Sequence, residues 1–234
     1  TTGGKNIGIG FAALVGLTTG ASNIAIGNNA SDAMDGGETG NIAIGDDAMG
    51  ATVQNVNAGA GSNDVAHNIA IGQNALKGGI IPDQDDAGTD GVSFNIAIGR
   101  EAISSTGTNN QFGTVAIGYR ALKALTSADG NTAIGFQSQT AQTDGGFNTT
   151  LGYQTLLVAD SGESGNVAIG YQAMSGVNNA GADGNVAIGG NAGTGGTGAM
   201  TGTVAIGQNA MNSTAGNAQT GTIAIGKDSL TNLT

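Results

Sequence analysis

The chain has 234 residues, a net charge of −11, 45 glycines, one proline and no cysteine. Its six basic residues, Lys5, Lys77, Arg100, Arg120, Lys123 and Lys227, form no stripe, which argues against nucleic acid and anionic membranes as partners. Thiol and disulfide chemistry is excluded, and no apolar run approaches the ~18–20 residues of a membrane-inserted helix.

The first element is Asn6-Ile7-Gly8-Ile9-Gly10, and the chain repeats it twelve times, from Asn6, Asn23, Asn41, Asn68, Asn95, Thr114, Asn131, Asn148, Asn166, Asn185, Thr203 and Thr222. Successive copies start 17, 18, 27, 27, 19, 17, 17, 18, 19, 18 and 19 residues apart. Position five is always Gly, position four is Ile except at Leu151, and position three is Ala except at Gly8 and Thr150. A short motif at a near-constant period is the signature of a solenoid. Within each copy the pattern alternates, which is the strand period. The pattern predicts an all-β fold: a parallel β-solenoid, a β-roll of about twelve coils forming one domain over 1–234.

Alternation leaves two faces to assign. Positions two and four, such as Ile24 and Ile26, are β-branched and are expected to point inward as a continuous core. Positions one and three, Asn23 and Ala25, are then expected to point outward, with the Asn column as a side-chain ladder. An outward column that stays small suggests close approach of another copy of the chain. Ala25, Ala43, Ala70, Ala97, Ala116, Ala133, Ala168, Ala187, Ala205 and Ala224 are therefore the candidate oligomer interface. Three residues after each motif Gly comes a second small residue, usually followed by Leu, Met or Ile, as at Ala48-Met49 and Ala173-Met174. These pairs are expected to form the second wall of a two-sided roll.

Two repeats are longer than the others, which predicts loop insertions at about 50–67 and 76–94. The second holds Asp83, Asp85, Asp86 and Asp90, a carboxylate group of the kind calcium uses, but without the EF-hand spacing. A solvated acidic loop explains it as well. His67 is the sole histidine, which leaves almost no material for a catalytic triad or a His-rich metal site. Further along, Tyr119, Phe136, Tyr153 and Tyr171 directly follow the motif Gly in four consecutive repeats. Stacked coils would bring them together as a ladder, either a stabilising column or a platform for a glycan or receptor. No residue pattern calls for a cofactor.

Asn-Val-Ala-Ile-Gly, as at 166–170 and 185–189, resembles the head repeats of YadA-like trimeric autotransporter adhesins, and the longer unit 166–174 is similar to repeats in bacteriophage tail fibres. That resemblance implies a left-handed parallel β-roll, a homotrimer, and a non-enzymatic attachment role outside the cell, on a bacterial surface or a virion fibre. The repeats here are longer than the ~14-residue coils of those adhesin heads. Two other expectations stand beside it: a filament subunit stacking end to end, and, more remotely, a carbohydrate-acting enzyme.

Overall fold

The computed structural model describes residues 3–51, 53–54, 65–78, 80–81, 91–107, 111–195, 198–214 and 216–232, with the backbone alone for 53, 54, 80 and 81. The chain is an all-β parallel β-solenoid of about ten turns with no helix among the described residues. It divides into two compact units, one formed by Thr1–Ile117 with Leu125–Asp129, the other by Gly118–Ala124 with Gly130–Thr234.

In the first unit the strands Ile7–Ile9, Ile24–Ile26, Ile42–Ile44, Ile69–Ile71, Ile96–Ile98 and Val115–Ile117 pair in parallel, each motif position on its own counterpart. In the second, Thr132–Ile134, Thr149–Leu151, Val167–Ile169, Val186–Ile188, Val204–Ile206 and Ile223–Ile225 do the same. The 27-residue repeats keep this register, and Val53–Gln54 pairs in parallel with Ile80–Ile81.

The strand faces are the reverse of the sequence expectation. All ten Ala at position three are buried, and eight of them have no exposed surface at all. The branched residues at positions two and four are half-buried or exposed: Leu151 is 48% and Ile188 38% exposed. The interior at position three is narrow. A methyl placed on Gly8, at position three of the first copy, would lie 3.3 Å from Ala13 O and 3.7 Å from Leu14 Cδ1 of its own coil. A methyl on Gly193, in the opposite wall, would sit 3.1 Å from Ala187 Cβ and 3.6 Å from Met174 Cγ. Ala therefore interlocks with the larger Leu and Met of the second wall, and Met49, Leu76, Ile103, Leu122, Leu156, Met174 and Met211 are fully buried there as expected.

One stretch confirms this pairing by breaking it in a compensated way. Where position three is Thr150, the second wall carries Ser138, Gln139 and Thr155. Ser138 Oγ lies 2.5 Å from Thr150 Oγ1 and 2.8 Å from Thr155 Oγ1, and Gln139 Nε2 donates to Thr150 Oγ1 at 2.9 Å. An inward hydroxyl is thus met by inward polar partners, as burial requires.

The Asn ladder forms, but inside the roll. Asn166 N and Nδ2 donate to Asn148 Oδ1 at 2.9 and 3.1 Å, and Asn166 Nδ2 also donates to Ala182 O at 2.8 Å. Asn166 Oδ1 in turn accepts from Asn185 N and Nδ2 at 3.0 and 2.9 Å. Each Asn therefore ties its own coil to the next and satisfies a strand-entry amide that no ladder bond reaches. Asn166→Ala strands Asn185 N and Ala182 O in the interior. At ~1–3 kcal/mol per stranded buried group, it is expected to cost about 2–6 kcal/mol, read as a lower denaturation midpoint at an unchanged slope.

Candidate functional site

The residue after the motif Gly leaves the strand at a corner, so its side chain points outward and stacks on its counterparts. In the second unit this column is aromatic over four coils. Tyr119–Phe136, Phe136–Tyr153 and Tyr153–Tyr171 have ring centroids 5.2, 5.2 and 5.4 Å apart, with interplanar angles of 28°, 4° and 8°. The ladder expected from sequence is present, with its rings stacked face to face. Its rings face one another, so Phe136 and Tyr153 offer only edges to a ligand. At the first end the Arg120 guanidinium carbon sits 4.9 Å from the Tyr119 ring centroid, a cation–π cap. At the other end Tyr171 is 55% exposed, against 41% and 42% for Phe136 and Tyr153.

A second ladder runs beside the rings, one residue along the chain. Gln154 Nε2 donates to Gln137 Oε1 and Gln172 Nε2 donates to Gln154 Oε1, both at 2.9 Å. Stacked carboxamides at coil spacing relay one bond per step, because an amide side chain both donates and accepts. This amide column was not singled out in the sequence, although its Gln137, Gln154 and Gln172 spell it at the repeat spacing.

The other candidates fare differently. The Ala column is core and presents no surface to another chain. The outward face instead carries the Ile and Val of positions two and four. Asp83, Asp85, Asp86 and Asp90 lie outside the described residues. Among the described residues no three His, Asp or Glu side chains converge as metal ligands. His67 joins a smaller exposed aromatic group: its ring stacks on Phe94 at 5.1 Å, and Phe94 meets Phe112 edge-on at 5.2 Å. Sequence reasoning missed it because these residues precede the motif rather than follow it.

Among the described residues, Glu38 and Glu163 are buried carboxylates. Glu38 accepts from Asp35 N and Gly36 N at 3.2 and 2.9 Å, closing a tight turn. Glu163 accepts from Ser161 N at 3.0 Å, while its Oε1 has no partner. Burial raises the Glu163 carboxyl above its ordinary range, backbone donors acting in the opposite sense. Neither group opens to an outer face, and both act as turn-holders. No protein-family model, curated protein or solved structure matches the chain.

Proposed function

We propose that the chain is a non-enzymatic structural and attachment module of an extracellular fibre, carried on a bacterial surface or a virion. In this reading it is a left-handed roll of about twelve coils that assembles as a homotrimer. The observation that supports it is the outward strand face. Positions two and four of the twelve copies hold no charged residue, and all but Thr132 and Thr149 are aliphatic. Within each unit, an apolar strip this regular, only half covered by its own chain, is what another copy of the same face would complete. The homotrimer expected from sequence is thereby moved from the Ala column to the Ile and Val column.

The test is a charge pair on that strip. Val167→Glu with Ile169→Glu is expected to reduce the sedimenting mass from trimer to monomer while the far-ultraviolet spectrum keeps its β form. A parent chain that sediments as a monomer, or a double variant of unchanged mass, would overturn the reading.

A further inference from the structure

The aromatic column stops at a place where nothing in the backbone requires it to stop. After Tyr171 the next residue in the column is Gly190, followed by Gln208. The register is fixed by Asn191 N donating to Tyr171 O at 2.8 Å and Asn209 N donating to Gly190 O at 2.9 Å. Gly190 does not have positive φ, unlike the neighbouring motif glycine Gly189. A methyl added at Gly190 would meet no atom within 4 Å, whereas one on Gly189 would lie 2.6 Å from Gly207 O. The fold needs a glycine at 189 and does not need one at 190.

Missing this one side chain leaves a gap two strand spacings wide, ~9.6 Å, between Tyr171 and Gln208. Its first wall is the uncovered face of the Tyr171 ring. The amide ladder breaks at the same step. Gln172 Nε2 is directed back to Gln154, so its carbonyl oxygen lies on the far side, toward the gap. The next amide, Asn191, is one methylene shorter and donates onward to Asn209 at 3.4 Å. Gln208 is exposed and supplies a second carboxamide across the gap. Charge enters only one coil further on, where Lys227 and Asp228 pair at 3.8 Å.

We infer that the gap at Gly190 is a binding slot for a single pyranose ring of a neutral glycan, stacked on Tyr171 and hydrogen-bonded by Gln172 and Gln208. A ring centred midway would sit about 5 Å from the Tyr171 ring, within the ~4.5–7 Å range of aromatic stacking and matching the spacing the column already uses. A pyranose presents C–H groups on its faces and hydroxyls around its rim. That suits an aromatic wall with amides beside it, since amides both donate and accept. The uncharged lining and the net charge of −11 select against anionic sugars.

Slot binding deepens the attachment reading by naming a ligand, but the two fail separately, because sedimenting mass reports on one and ligand contact on the other. The probes are the methyl glycosides of glucose, galactose and N-acetylglucosamine, with p-cresol as a flat aromatic control, followed by saturation-transfer NMR. The parent chain is expected to transfer saturation to at least one glycoside. Gly190→Tyr, which continues the column into open space, should abolish that transfer and leave the melting temperature unchanged or raised. Tyr171→Gln, a residue the column already accepts at Gln73 and Gln208, should weaken it ~3–10-fold, the factor expected from one lost stack. Tyr153→Gln, whose ring faces are covered, should leave it intact. No transfer to any glycoside from the parent, equal transfer from Gly190→Tyr, or transfer to p-cresol alone would overturn the assignment.

Discussion

Ala168→Arg is expected to prevent folding, not merely to block assembly. Ala168 has no exposed surface and belongs to one buried cluster with Ala173, Met174 and Ala187. Its register neighbours are Thr150 and Ala187. An arginine there adds six heavy atoms beyond Cβ to a column packed at methyl contact, where a few extra methylenes alone cost ~1–3 kcal/mol. It also carries a guanidinium with no carboxylate on that wall, and an unpaired buried charge costs several kcal/mol more. A domain is stable by only ~5–15 kcal/mol, so the sum is comparable to the whole. The measurement is far-ultraviolet circular dichroism on heating, with Ile169→Arg as the paired control. Ile169 is half-buried on the outer face, and its variant should keep the β spectrum. If Ala168→Arg kept that spectrum and melted with the parent, position three would not face the interior.

The spacing of the repeat shows where the strands lie but not which of their faces is inside. The repeat, the strand, the parallel register, the Asn ladder, the second wall and the aromatic column could all be read from the spacing of the motif. Alternation itself does not say which face is inside, and the choice rested on the rule that the larger, branched residues are buried. That rule holds when two layers pack ~10 Å apart. Here each coil folds back on itself so tightly that position three touches the corner of its own turn. The signal that could have corrected the reading lies in the exceptions. Thr150 replaces Ala in the same region where Ser138, Gln139 and Thr155 replace the usual second-wall residues. Polar residues that appear together on two supposed faces are more simply partners across one interior.

The corner itself was not legible. Ordinary side chains occupy left-handed backbone at paired corner positions, for instance Asp47 at φ 53° with Met49 at φ 53°, and Glu101 at φ 59° with Ile103 at φ 45°. Sequence rules reserve that region for Gly and Asn, and a β-branched residue there is an outlier. Each such residue is strained by ~1–2 kcal/mol in isolation. The strain is held by coil-to-coil bonds such as Met49 N to Ala75 O at 3.0 Å and Leu76 N to Ala102 O at 2.9 Å. The same blind spot hid the site. A glycine at 190 looks like one more turn residue until the backbone shows that it has no conformational reason to be there.

Gly135→Ala is expected to be among the most damaging single-methyl changes in the chain, and for the opposite reason to Gly190. Gly135 has φ 137°, a conformation L residues rarely adopt. A methyl on it would lie 2.0 Å from Gly152 O and 2.7 Å from Gly152 C, both backbone atoms of the next coil. No rotamer change relieves a clash with main chain. Either the coils separate, which breaks the bond from Gly152 N to Ile134 O at 2.8 Å, or the corner changes conformation and the aromatic residue after it loses its place in the column. Gly152 repeats the arrangement with Gly170 O at 2.3 Å, so a displaced coil cannot be absorbed by its neighbour. The expected loss is above ~4 kcal/mol, in the exceptional class for a point change, whereas Gly190→Ala should stay within ~0.5 kcal/mol. Chemical denaturation of the two variants side by side decides it. Equal midpoints would mean that the glycine column does not set the approach of one coil to the next.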